Sequence, residues 1–314
     1  MNPLSALYGA GISLRNTLFD RGVLPAMRLE LPVVSVGNLS TGGAGKTPFV
    51  IALGELLKER GVSFDVLSRG YGRKTRGVYL VDPGGSASDF GDEPLLIARK
   101  LGVPVVVGES RYQAGRLAEQ KLETRLHLLD DGCQHRSLAR DFDIVLMTAA
   151  DFQDALLPIG RLREPLSALR RADAIILPQG FIVESVRVHE KPVWRVKREL
   201  VLAAAPPSPV VFCGIARAEQ FFAQVRASGV SPAAEVAFRD HHAYADREIQ
   251  SLLAMKSKLG AQGFVTTEKD VINLGTLRSH LEPLGVASLR LTIDHPVTLV
   301  DTILTRIAER KPRS

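Results

Sequence analysis

The sequence predicts an α/β chain: a P-loop doubly wound, mainly parallel sheet with a second, smaller α/β domain. Three observations predict it. Short β-branched runs alternate with helix-length apolar periodicities, and that alternation restarts after the prolines at 206, 207 and 209. Residues 40–47 read Ser-Thr-Gly-Gly-Ala-Gly-Lys-Thr, between an apolar run at 32–36 and an apolar-periodic segment at 49–57. Strand, glycine loop, helix is the context that separates a phosphate-binding loop from a chance cluster of glycines.

Within that loop, Gly42, Gly43 and Gly45 permit positive φ, so that the N–H groups of residues from Ser40 and Thr41 through Ala44 can converge on phosphate oxygens. Lys46 supplies a mobile charge to the β- and γ-phosphates, and the Thr47 hydroxyl is a ligand for Mg²⁺. Pro48 costs little in a first helical turn, where its missing N–H would lack a partner anyway. Ser40 stands where the pattern usually has its first glycine.

The N-terminal segment carries Leu4, Leu7, Tyr8, Ile12, Leu18 and Phe19 at helical spacing, with Arg15 and Arg21 among the polar positions. It reads as an amphipathic helix, either interfacial or packed on its own domain. The 314 residues suit two domains, expected at 1–190 and 210–314 with a linker at 191–209. A net charge of +6 points to an anionic partner without choosing one. Cys133 and Cys213 are too few and too far apart for a disulfide framework or a cysteine metal site, which suits a reducing, cytoplasmic setting. No apolar run of eighteen residues or signal-peptide pattern occurs, so neither a membrane span nor export is expected.

Beyond the loop, a second strand at 63–67 leads into Ser-Arg-Gly-Tyr-Gly-Arg-Lys at 68–74, a basic loop where an open sheet binds ligands. Gly91-Asp92-Glu93-Pro94 opens a helix, in which Asp92 alone is ordinary capping chemistry. A strand is expected at 103–107 and a helix at 113–121. The apolar run at 126–129 ends in Asp130 and Asp131, and carboxylates at the tip of a buried strand are where P-loop enzymes hold Mg²⁺. His135 nearby reads as structural. A strand at 143–147, a helix opened by Leu162-Arg163-Glu164-Pro165 and running to 171, and a strand at 174–177 complete the first unit. Residues 193–202 alternate polar and apolar side chains ahead of the prolines.

The smaller unit reads as a strand from 210, helices at 219–228 and 246–258, strands at 264–266 and 287–291, and a final helix at 297–310. Between them lie Phe-Arg-Asp-His-His at 238–242 and Thr-Glu-Lys-Asp at 267–270.

Taken in order, the 40–48 loop, Ser-Arg-Gly-Tyr-Gly-Arg, Gly-Asp-Glu-Pro, Asp-Asp-Gly-Cys-Gln-His, Leu-Arg-Glu-Pro, Asp-His and Thr-Glu-Lys-Asp give a chain that resembles the tetraacyldisaccharide 4'-kinase (lipid A 4'-kinase) family from about residue 32 to residue 273. Each piece is weak alone; their joint order is specific. The resemblance implies transfer of the ATP γ-phosphate to the 4'-hydroxyl of a tetraacylated disaccharide 1-phosphate, at the cytoplasmic face of the inner membrane, by a peripheral enzyme using Mg²⁺. It also implies an active site in a cleft between two α/β/α domains. Carried over by motif, Asp92 is the candidate general base, His241 its partner, Lys46 and Thr47 the phosphate and metal residues, Asp130 and Asp131 the metal-side carboxylates, and Arg163 and Glu164 a further active-site pair. Cys133 replaces a bulkier apolar residue, and His242 repeats the histidine.

The residues alone keep rivals open. A P-loop ATPase acting as a protein switch often carries an early lysine where this chain has Thr41. A GTPase would place the lysine of Thr-Glu-Lys-Asp one position earlier. A nucleic-acid ATPase would fit the charge, but no aromatic-interleaved basic patch supports nucleic acid as a partner.

Overall fold

The structure, a computed structural model, describes residues 3–181 and 191–309. In chain order it comprises α1 (Pro3–Asp20), β1 (Val33–Asn38), α2 (Lys46–Glu59), β2 (Asp65–Ser68), β3 (Tyr79–Leu80), α3 (Ala87–Phe90), α4 (Asp92–Leu101), β4 (Val105–Val107), α5 (Arg111–Lys121), β5 (His127–Asp130), β6 (Phe142–Leu146) and β7 (Ala174–Pro178). Then follow β8 (Val193–Leu202), β9 (Val210–Cys213), α6 (Ala218–Ala227), β10 (Ala234–Ala237), α7 (Asp246–Leu259), β11 (Phe264–Thr267), α8 (Glu268–Leu274), β12 (Leu284–Ile293) and α9 (Pro296–Ala308).

All described strands form one sheet, in the order β10-β9-β11-β12-β8-β7-β6-β1-β5-β2-β4-β3. Neighbours are parallel except at β8–β12 and β3–β4. β1 lies between β5 and β6 and is buried along its whole length, which explains its near-continuous apolar run: a parallel strand covered on both faces has no polar side to show. α2 buries Phe49, Val50, Leu53 and Leu57. Each such side chain is worth about 1.5–3 kcal/mol, so the helix behind the loop is a fixed platform.

The expected linker at 191–209 is corrected. Residues 193–202 form β8, paired parallel to β7 and antiparallel to β12. Its period-two pattern, with Trp194 and Val196 buried on one face, is a strand pattern and not punctuation. The main core also crosses the expected boundary: Val34, Val36, Phe49 and Leu53 share one apolar cluster with Leu291 and Ile293 of β12 and Leu299 and Ile303 of α9. The C-terminal part keeps a second cluster of its own around Phe212, Leu252 and Phe264.

Smaller differences follow from short-range chemistry. Residues 166–171 form a 3₁₀ segment, where an α-helix was expected. The last expected strand is longer, at Leu284–Ile293, and Arg310 of the final helix lies outside the described residues. The short β3, α3 and β10 lack the length that makes periodicity readable.

Candidate active site

The 40–47 loop leaves the end of β1 and enters α2 with Gly42, Gly43 and Gly45 at φ of 70°, 62° and 82°. These are left-handed values that favour glycine, as the sequence implied. Asn38, the last residue of β1, braces the turn: its amide nitrogen donates to the Ser40 carbonyl at 2.8 Å and approaches Ser40 Oγ at 3.3 Å. Ser40 is fully buried there, so the serine in place of glycine serves as a bracing point. The Thr41 N–H is tied to the Arg161 carbonyl at 2.8 Å.

The loop forms one wall of a cavity of about 980 Å³, which also exposes Arg69, Asp130, Asp131, Arg163, Arg198, Arg217, His241 and Lys269. Lys46 Nζ donates to Asn38 Oδ1 at 3.0 Å and lies 3.5 Å from Asp131. Asp131 has φ 51° and is bound by Arg163 at 3.0 and 3.3 Å. Burial would raise its carboxyl, but Lys46 and Arg163 hold it down at about 2. Its neighbour behaves oppositely. Asp130 accepts one bond from Ser68 Oγ at 3.1 Å, while its other oxygen is buried without a partner. Burial and the charges of Glu93 and Asp131 push its carboxyl up.

A divalent cation fits that asymmetry. An orphaned buried carboxylate oxygen on Asp130, with the Thr47 hydroxyl on the same cavity wall, is a donor set of the hard oxygen type that Mg²⁺ takes together with phosphate oxygens. Asp131 is already occupied by two cationic side chains. Close packing sets both positions: a Cβ on Gly132 would meet Ser35 Oγ at 2.3 Å, and one on Gly37 would meet the Cys133 backbone N at 2.6 Å.

Across the cavity, His241 Nδ1 donates to Asp92, 2.9 and 3.0 Å from its two oxygens. The structure therefore joins residues 149 positions apart, as the motif pattern implied. Asp92 also accepts from Asn273 Nδ2 at 3.1 Å and from the Glu93 N–H at 2.8 Å. Burial works to raise its carboxyl, but the His241 bond and the Lys269 charge keep it below its ordinary value. For His241, burial opposes protonation and the Asp92 bond more than offsets it, leaving the imidazole above its ordinary value. The side chain of His241 is 21% exposed, against 3% for Asp92, and only the histidine lines the cavity. His242 is elsewhere, stacked on Phe238 with ring centroids 4.7 Å apart.

Glu164 stands apart from its neighbour Arg163. It is fully buried, off the cavity wall, and accepts from Asn16 Nδ2 at 2.8 Å and Arg171 at 2.7 Å. Its bonds join α1 to the Arg163 loop and to Arg171. His135 lines the cavity, and burial together with nearby arginines pushes it down to about 4. Arg198, Arg217 and Arg111 were not anticipated. Arg198 of β8 donates to the Ala44 carbonyl, and a Cβ on Gly43 would meet Arg217 Nε at 2.5 Å, so both cations lie against the glycine loop. Arg198 follows Trp194 and Val196 on the same strand face, and an arginine continuing an inward-facing alternation was the available signal.

A family model described as Tetraacyldisaccharide-1-P 4'-kinase matches residues 1–308. A tetraacyldisaccharide 4'-kinase of Koribacter versatilis is 48% identical, covering 99% of each chain. Those of Geobacter metallireducens and Aquifex aeolicus are 37% and 39% identical, the first over 96% of each chain and the second over 87% of this chain and 88% of its own. The crystal structure of the "apo" form LpxK from Aquifex aeolicus in complex with ATP matches with a TM-score of 0.79 at 36% identity, covering 97% of this chain and 98% of that one.

Proposed function

The chain belongs to the tetraacyldisaccharide-1-phosphate 4'-kinase family, and from that premise we propose how its cavity phosphorylates a lipid disaccharide. It is an ATP-dependent kinase of lipid A biosynthesis that transfers the γ-phosphate to the 4'-hydroxyl of a tetraacyldisaccharide 1-phosphate. The observation that carries the mechanism is a single cavity with a phosphate-binding loop on one wall and a carboxylate–histidine pair on the other.

Phosphoryl transfer depends on positioning and charge neutralisation more than on covalent chemistry. The N–H groups of residues 42–45 cradle the phosphates, Lys46 leaves Asn38 and Asp131 for the β- and γ-phosphates, and Arg198 and Arg217 close over them. Thr47 and Asp130 would hold Mg²⁺, which supplies charge neutralisation at the transferring group. Arg163 keeps Asp131 and Asn38 aligned beneath. The acceptor hydroxyl must lose a proton, and the Asp92–His241 pair takes it: His241 meets the hydroxyl from the cavity wall, while Asp92 orients the ring and balances its charge.

α1 sets the enzyme on a membrane surface. Its Leu4, Leu7 and Leu14 are exposed, while its polar face binds the active-site loops through Tyr8 to the Arg163 carbonyl at 3.0 Å and Arg15 to the Gln134 carbonyl at 2.9 Å. Among the described residues no helix is long and apolar enough to cross a membrane. The proposed contact is a peripheral one at the cytoplasmic face, where ATP is available.

The test is phosphate transfer from labelled ATP to purified tetraacyldisaccharide 1-phosphate in mixed micelles, with Lys46→Ala as control. Lipid-linked label that disappears in the variant supports the reading. ATP hydrolysis without lipid labelling would return the chain to the protein-switch class.

A further inference from the structure

α8 meets the Asp92–His241 pair with two side chains. Lys269 and Asn273 lie one helical turn apart, on the face turned to Asp92. Asn273 Nδ2 donates to Asp92 Oδ2 at 3.1 Å, and Lys269 Nζ lies 3.2 Å from His241 Nε2 and 3.7 Å from Asp92. Asp270, between them, turns into the protein and is completely buried. It accepts from the Gly214 N–H at 2.8 Å, the Tyr244 hydroxyl at 2.8 Å and the Thr267 hydroxyl at 2.5 Å. Among the described residues no arginine or lysine bonds to it, so a costly buried carboxylate is committed to holding neutral donors.

What it holds leads back to the histidine. The Gly214 carbonyl accepts the His241 N–H at 3.1 Å, and His241 adopts φ 55°, a left-handed conformation unfavourable for a non-glycine residue. The Gly214 peptide is fixed from all sides: a Cβ there would meet His242 Cβ at 2.9 Å and Arg239 O and Asp270 Oδ1 at 3.1 Å. A tight peptide anchored by a buried carboxylate is what keeps an unfavourable backbone conformation populated.

We propose that α8 is the positioning element of the proton-accepting pair: Asn273 fixes the Asp92 carboxylate, and Asp270, through the Gly214 peptide, holds His241 in the conformation that aims Nδ1 at Asp92. This rests on the reading of Asp92 and His241 as that pair. The charged and titratable groups facing His241 are Asp92 of α4, Lys269 of α8, which also reaches Glu93, Asp240 of its own loop and, at 5.0 Å between ring centroids, Tyr71. Of these, Asp92 raises the imidazole and Lys269 opposes it, so loss of the Asp92 contact lowers its titration midpoint.

The experiment compares full-length wild type, Asp270→Asn, Asn273→Ala and His241→Ala, using ATP and the lipid acceptor. It reads kcat and KM, the pH–rate profile, and the His241 ring-proton titration by NMR. Asp270→Asn and Asn273→Ala are expected to lower kcat by about 10- to 100-fold with KM for ATP within about twofold, as is common when a supporting contact is removed from a reacting group. The His241 titration and the acidic limb of the rate profile both move to lower pH. Neither α8 change adds its full loss in the His241→Ala background. If Asp270→Asn does not fold, Asn273→Ala decides, since its side chain is partly exposed. A folded α8 variant with wild-type kcat, or with activity reduced only by its unfolded fraction and an unmoved His241 titration, overturns the proposal. A fully active His241→Ala overturns the underlying pair instead.

Discussion

One terminal nitrogen of Arg163 reaches Asn38 Oδ1 at 2.6 Å and Asp131 Oδ1 at 3.0 Å, so a single guanidinium ties the end of β1 to the tip of β5. Lys46 touches the same two side chains from the opposite direction. The resting position of the phosphate-binding lysine is therefore set by the arginine.

Arg163→Ala is expected to lower kcat by roughly 10- to 100-fold, since hydrogen bonds to charged groups are worth about 1.5–3 kcal/mol each. Arg163→Lys should recover little of that. An ammonium is a point charge and cannot hold Asn38 and two Asp131 oxygens in one plane. Steady-state kinetics of both variants is the check, and full rescue by lysine would reduce the role of Arg163 to its charge.

The two aspartates at the tip of β5 should separate in a Mg²⁺ titration. Asp130 carries the orphaned oxygen, so Asp130→Asn is expected to shift the activation curve to higher Mg²⁺ by about tenfold or more. Asp131→Asn should instead lower turnover with a smaller shift, because its partners are Lys46 and Arg163. Identical activation curves for the two variants would remove the distinction.

The loop, the strand-tip carboxylates and the Asp92–His241 pairing were legible because their chemistry is local or carried by a motif. Gly42, Gly43 and Gly45 fall within four consecutive positions and need no tertiary information. The different places of Arg163 and Glu164 were not legible: the sequence shows adjacency, but successive side chains can point to opposite sides, and only Arg163 reaches the cavity. Arg198 and Arg217 were hidden by topology, since nothing local says that β8 joins the sheet beside β7 or that the loop after β9 covers Gly43. Fold class follows from periodicity; the antiparallel seam of β8 with β12 depends on pairing between residues far apart.

A buried charge cluster far from the cavity predicts the pH dependence of stability. His127 is fully buried, 2.9 Å from Asp65 and 3.6 Å from Glu119. Burial resists its charge, but the two carboxylates raise it to about 9, and Glu119 is held down to about 2 against the effect of its own burial. A raised histidine contributes stability fully below its unfolded value of about 6.5, and that share is lost as pH climbs through about 9. The Glu119 share is present above about 4.5 and is lost as pH falls toward about 2. Urea midpoints should therefore decline between about pH 6.5 and 9 in wild type and much less in His127→Gln. Parallel declines in the two proteins would mean that His127 is neutral in the fold.

α1 is inverted relative to an ordinary surface helix. It buries Ser5 and Asn16 and exposes Leu4, Leu7 and Leu14 at 60%, 73% and 62%. Those leucines, three and seven positions apart, share one exposed face, an apolar strip suited to an apolar cover. An acceptor with acyl chains supplies one, because its sugar can enter the cavity only if the enzyme lies against the surface that retains the chains. Each leucine would contribute up to about 1.5–3 kcal/mol on full insertion, enough for reversible binding by a few residues. Deleting α1 is a poor test, since it would also remove the Tyr8, Arg15 and Asn16 bonds to the Arg163, Gln134 and Glu164 segments. The double change Leu7→Glu with Leu14→Glu leaves those bonds in place. It should reduce co-sedimentation with phospholipid vesicles by at least about tenfold while leaving nucleotide affinity unchanged. Equal sedimentation of the double variant and wild type would move the membrane contact to another face of the protein.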